Sequence, residues 1–167
     1  MEHIRFNDAD DGRAIAAVAG TAFNAGRDIS VCRLRDDARL GGVIFTNYTT
    51  ESIAIHSAGW SPHWINRDML FVTFDYPFKQ LGVNRIFGYV PEDNFHAIRF
   101  NEKLGFTHVA RIEGMFKHNT ACCLMKMEHR DCRFLGVQAR TLQSNVTEER
   151  PPWEKSPTPQ RHPTTAH

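Results

Sequence analysis

The spacing of apolar residues switches repeatedly along the chain between a two-residue repeat and a three-to-four-residue repeat, and that succession limits the available folds more than any other feature. His3 to Phe6 alternates as a short strand. Asp8, Asp10 and Asp11 then offer N-caps to an Ala-rich segment carrying Ile15, Val18, Ala19, Ala22 and Phe23 at helical spacing. Ile29 to Leu34 and Leu40 to Phe45 are β-rich runs around a turn signal at Asp36-Asp37, and Ser52 to Ala58 follows as a third strand, which predicts an antiparallel meander. Ser61 as N-cap and Pro62 as first helical residue predict the start of a long helix. Its broad apolar face runs through Trp64, Ile65, Leu70, Val72, Phe74, Phe78 and Leu81, and it ends at Gly82 after a bend or local break at Pro77. Val83 to Val90 reads as a strand closed by Pro91. Asn94 caps a further amphipathic helix through Ala97, Ile98, Phe100 and Leu104 to Gly105, and two last strands, Thr107 to Phe116 and Ala121 to Glu128, surround the polar turn His118-Asn119-Thr120. The order β-α-β-β-β-α-β-α-β-β predicts an α/β (α+β) unit with a central mixed sheet and helices on its faces.

Composition adds the limits of that unit. All 12 Phe fall between Phe6 and Phe134, whereas five of the 8 Pro crowd the last stretch, where Val146, Trp153 and Ala166 are the only apolar residues after Asn145. So few apolar groups do not offset the entropy of ordering a segment, so the expectation is a domain over residues 1–142 followed by a flexible, Pro-rich polar tail over 143–167. A net charge of +1 gives no basic excess to neutralise phosphates, which argues against a nucleic-acid partner, although Arg130, Arg133 and Arg140 make the end of the domain locally basic, read as a solvated face. No run approaches the roughly 18 apolar residues of a membrane span, and Met1 to Asp11 lacks a signal-peptide pattern. The expected address is therefore cytoplasmic, with no membrane partner. Cys32, Cys122, Cys123 and Cys132 lack C-x-x-C spacing and read as reduced, packed thiols; the His residues are scattered with no H-E-x-x-H, and no metal site is expected.

One segment carries a resemblance. Asn94 to Phe106 reads NFHAIRFNEKLGF, which resembles the fourth-helix motif of the GNAT N-acetyltransferase superfamily, in which an Asn, an Ala three residues on and a Lys-Leu-Gly-Phe ending recur. The preceding YPFKQLGVNRIFGYV, Tyr76 to Val90, looks like that superfamily's helix-to-strand passage, above all in ribosomal-protein and aminoglycoside N-acetyltransferases and small phage-encoded GNAT-like proteins. The resemblance implies a GNAT fold whose mostly antiparallel sheet contains two splayed parallel strands, Ser52 to Ala58 and Val83 to Val90. It further implies that acetyl-CoA lays its pantetheine arm between those strands and its pyrophosphate on the helix N-terminus that follows. A backbone N–H near Ser57 or Ala58 would polarise the thioester, and a primary amine would attack it directly.

Carried onto this sequence, the family pattern places cofactor contacts at Ser57, Ala58, Ser61, His63, Trp64, Arg67, Asn94, Ala97 and Asn101. Two positions depart from it. Ser61-Pro62-His63-Trp64 stands where Arg-Gly-x-Gly is usual, so backbone approach to a phosphate is replaced by a Pro without an N–H and a bulky indole. Asn101 stands where many members carry a Tyr acid, and an amide donates no proton of useful pKa. Tyr89 is the nearest alternative hydroxyl. His56, on a strand face of small residues, and Glu51 are the candidate bases for the attacking ammonium; each also has a plain structural reading, as a hydrogen-bonded sheet histidine and a solvated strand-entry carboxylate. The functional expectation is an N-acetyltransferase, an EC 2.3.1 acyltransferase, acting on an unidentified amine, with a homodimer reasonable and, for a phage protein, a host-cytoplasm setting. The alternative is a catalytically degenerate GNAT-fold binding protein acting on a host or nucleic-acid partner.

Overall fold

The computed structural model describes residues 1–140, so the expected boundary at 142 and the tail beyond it lie outside the described residues. The elements follow the expected order: β1 (Glu2–Phe6), α1 (Ala9–Ala19), β2 (Ile29–Arg35), β3 (Ala38–Thr46), β4 (Ser52–Gly59), α2 (Arg67–Asp75), β5 (Arg85–Pro91), α3 (Phe95–Leu104), β6 (Thr107–Ile112) and β7 (Cys122–Glu128). The strands form one sheet in the order β1-β2-β3-β4-β5-β7-β6, antiparallel throughout except where β4 runs parallel to β5.

Local chemistry explains the element ends. Asp8 caps α1 by accepting from the Asp10 and Asp11 amides, and Gly20, at φ 70°, stops the helix in a left-handed turn. That stop comes before Ala22 and Phe23, so neither extends the helix; Val18, expected on the buried stripe, is 58% exposed, and Phe23 instead folds back onto Gly12. Asp36 and Asp37 both take positive φ, the backbone twist of a tight β2–β3 hairpin. β6 ends at Ile112, short of the expected Phe116, because Gly114 at φ 62° begins a turn.

The long helix differs most from expectation. Ser61 and Pro62 do not start it: α2 begins at Arg67, capped by the Asn66 side chain, which accepts from the Met69 amide at 2.9 Å. Pro77 breaks the regular helix as anticipated. After Asp75 the chain widens into one π-helical turn, Tyr76–Gln80, since proline cannot donate to the ladder.

α1 covers one face of the sheet, over Cys32, Leu34, Ile44 and Ala58. α2 and α3 cover the other, where Met69, Val72, Phe74, Phe78 and Phe106 pack on Val43, Phe45, Ile53, Ile86, Met125 and Met127. Each such side chain contributes roughly 1.5–3 kcal/mol of burial. The chain after β7 returns across α2, with Phe134 stacked on Phe74 at 4.9 Å between ring centroids. All four cysteines are free thiols, and three of them are buried as expected; Cys123 is only partly buried.

Candidate active site

Parallel pairing of β4 with β5 runs from Ser52↔Arg85 to Ile55↔Gly88 and stops, although β4 continues to Gly59 and β5 to Pro91. On its other side β4 stays paired with β3 as far as Gly59, so residues 56–59 turn one backbone edge toward an opening that no strand fills. The opening leads into a cavity of about 660 Å³. Val43, Ile55, Phe74, Val90 and Phe106 give it an apolar lining, and the end of α1, at Val18 and Ala19, supplies one wall.

His56 and Tyr89 come from the two diverging strands and meet in this cleft, their rings stacked at 5.8 Å and 16°. The His56 Nε2 lies 3.1 Å from Thr46 Oγ1 on β3. Burial pushes the imidazole down to about 4, against the pull of the nearby Asp28 carboxylate. A histidine so placed is neutral near pH 7, and the burial that keeps it neutral also makes it a weaker base than a solvated imidazole. Glu51, the other candidate base, sits before β4 at the closed end of the strand pair. Its carboxylate accepts from Asn84 Nδ2 at 2.6 Å, and it does not line the cleft.

The opposite wall belongs to α3. Asn94 caps this helix by accepting from the Ala97 amide at 3.1 Å, and Asn94, Ala97 and Asn101 all face the cleft. Asn101 lies over Gly88, where a side chain on the strand would be in contact with its amide. Ser57, Ala58 and Ser61 line the cleft as expected. Thr73, on α2, contributes a hydroxyl that is buried and has no hydrogen-bond partner among the described residues.

Trp64 occupies the place where the family pattern has glycine, and it lines the cleft. Its indole lies flat on the cross-strand glycine pair Gly41↔Gly59, where a Cβ on either residue would fall 2.4 Å from the ring. Glycines in the strands beneath the loop make room for the indole. Arg33 pins the loop from below, donating from Nη1 to the carbonyls of His63 at 2.8 Å and Trp64 at 2.9 Å, and Phe100 meets the indole across the cleft at 6.3 Å. His63 therefore contributes to the loop through its backbone, and it does not line the cleft.

Arg67 opens into a second cavity of about 670 Å³ that adjoins the first at Ile65. The returning C-terminal segment brings Arg133 and Arg140 into the same cavity, beside the N-terminus of α2. Arg67 Nε donates to the Gln138 carbonyl at 2.8 Å, and the Arg140 amide donates to Asp68 Oδ1 at 2.6 Å. Arg133 and Arg140 are exposed, as read from the sequence, and with Arg67 they border this open, shallow site. Sequence spacing carries no signal for this, because more than 60 residues separate them from Arg67. Thr46, Thr73 and the Gly41–Gly59 seat are likewise recognisable only once the strands are registered.

No family model matches the chain, and no curated protein matches it. Solved structures do. The spermidine N-acetyltransferase of Vibrio cholerae in complex with CoA and spermine is 15% identical over 78% of this chain and 96% of its own, with a TM-score of 0.58. YncA of Salmonella typhimurium, solved with its cofactor acetyl-CoA, is 16% identical over 77% of this chain and 94% of its own, also at 0.58. A chimera of the Vibrio cholerae enzyme SpeG with hSSAT reaches 0.59 at 16% identity. These neighbours are GNAT-family N-acetyltransferases, and the chain has their fold.

Proposed function

We propose that the chain is an N-acetyltransferase that moves an acetyl group from acetyl-CoA to a primary amine by direct attack. The observation carrying this reading is the β4–β5 gap itself, an unpaired backbone edge with a neutral histidine and a tyrosine at its mouth and an open, arginine-bordered site at its far end. Acetyl-CoA supplies the acyl thioester. Its fit is supported by two features: the free backbone edge of β4 beyond Ile55, and Arg67, Arg133 and Arg140 for phosphate charge.

The chain's residues divide the chemistry among them. The Ser57 N–H, on the edge of β4 turned away from β3, is offered to the thioester carbonyl oxygen, where negative charge develops. His56 accepts the proton of the attacking ammonium, and Thr46 fixes its ring. Tyr89 hands a proton to the departing thiolate, the part for which Asn101 has no acidic hydrogen. Asn94, Ala97 and Asn101 hold the arm from α3, with Ser61 and Trp64 facing them.

The acceptor enters beside the end of α1 and the loops Ala25 to Ser30 and Asn47 to Glu51. Spermine, present in the Vibrio cholerae neighbour, is one amine to include in a panel with lysine peptides, N-terminal peptides and aminoglycosides. The setting proposed is the cytoplasm, and among the described residues no helix is long and apolar enough to cross a membrane. Should the chain dimerise, the exposed edge strand β6 is the surface available, which sedimentation measures directly. Mass spectrometry of the panel incubated with acetyl-CoA tests the activity. A gain of one acetyl group on an amine, lost in His56→Ala, is expected; no acetylated product from any amine would refute it.

A further inference from the structure

Outside the cleft, on the far side of α3, three side chains from three elements form a connected row. Cys123, on β7, has its Sγ 3.0 Å from His108 Nδ1, on β6, and His108 Nε2 lies 2.7 Å from Glu102 Oε1, on α3. His108 pairs across the strands with Met125, two residues from Cys123, so the two side chains share one sheet face. A single tautomer satisfies both contacts: the thiol donates to Nδ1, and Nε2–H donates to the carboxylate. The geometry is that of a nucleophile, a base and a group that orients the base. Burial, together with the charges of Glu102 and Glu92, pushes the thiol up, so reaction at the sulfur requires that its proton be taken as it attacks. The other three cysteines are buried and lack such a partner among the described residues: Cys32 is fully enclosed, with its thiol pushed up to about 12. Cys123 lines neither cavity described above, while the His108 side chain is 52% exposed, so the row has access to solvent and no enclosure for a large ligand.

We propose that Cys123, His108 and Glu102 form a peroxide-reactive thiol site, independent of acetyl transfer. In the step, His108 takes the thiol proton as sulfur attacks one oxygen of hydrogen peroxide. An S–O bond forms and the O–O bond breaks; the leaving hydroxide takes the proton from His108 and departs as water. Sulfur is oxidised to a sulfenic acid and the peroxide is reduced. His108 touches the reacting sulfur, and Glu102 positions it and steadies its charge. Hydrogen peroxide fits because it needs no binding pocket, only a base that returns a proton to the leaving oxygen.

The test uses the full chain with hydrogen peroxide and dimedone, with adducts located by mass spectrometry and melting temperatures recorded for every variant. Cys123 is expected to be labelled well ahead of Cys32, Cys122 and Cys132, and faster than the cysteine of an unstructured peptide. His108→Ala is expected to slow labelling at least ~10-fold at an unchanged melting temperature. Glu102→Gln, which keeps an acceptor for Nε2–H and loses the charge, is expected to fall between wild type and Glu102→Ala. Labelling of Cys123 no faster than the peptide, or a rate indifferent to His108→Ala, overturns the proposal.

Discussion

His56 makes a measurable demand on the stability of the fold. Its imidazole is held neutral, displaced from the usual 6.5 to about 4 by burial, whereas in the unfolded chain it titrates near 6.5. Below that pH the unfolded state binds the proton that the folded state refuses. The stability contributed by the neutral ring is therefore whole above about pH 6.5 and declines as pH falls toward 4, by about 3 kcal/mol in total. Replacing His56 with Gln keeps a polar partner for Thr46 and removes the titration. Other groups also respond to acid; Asp11 does so because Arg5 and Arg39 hold its carboxylate low against the cost of burial. The difference between the two proteins isolates the histidine. Urea unfolding followed from about pH 7 to about pH 4 should show wild type losing about 3 kcal/mol more than His56→Gln. Parallel curves would mean that the ring titrates as an exposed one does, so that burial does not hold it neutral in acid.

Three further outcomes follow from the cleft. Gly59→Val places a side chain where the Trp64 indole lies, 2.4 Å from a Cβ, so the ring must leave its seat; a stability loss of about 1–3 kcal/mol, altered tryptophan fluorescence and weakened acetyl-CoA binding are expected together. Tyr89→Phe removes the proposed acid and leaves the stacking on His56, so kcat should fall roughly 100-fold or more with little change in melting temperature, as steady-state kinetics would reveal. Arg67→Ala and Arg133→Ala should each weaken acetyl-CoA binding by roughly tenfold, with the loss shrinking at high salt when measured by titration.

The order of elements was legible because burial imposes its period on the sequence: the alternation in β2 to β4, the Asn94 and Gly105 caps of α3 and the break at Pro77 all stand where local chemistry puts them. The start of α2 was not, since Ser61-Pro62 imitates a helix entry while Arg33, about 30 residues away, ties the His63 and Trp64 carbonyls into a turn and leaves capping to Asn66. Of the residues that line the cleft, those on β4, β5 and α3 were named from the motif and its flanks. Glu51 precedes β4 at the end where β4 and β5 pair, and it does not line the cleft. Arg133 and Arg140, like the row from Glu102 to Cys123, depend on contacts between elements distant in sequence, where periodicity says nothing.

Isothermal titration of acetyl-CoA into the full chain tests the central claim most directly. The account predicts saturable one-site binding with a Kd below about 1 mM, weakened by Arg67→Ala and by salt. No heat and no thermal shift at about millimolar acetyl-CoA would contradict it, leaving a GNAT fold whose open strand pair serves some other ligand.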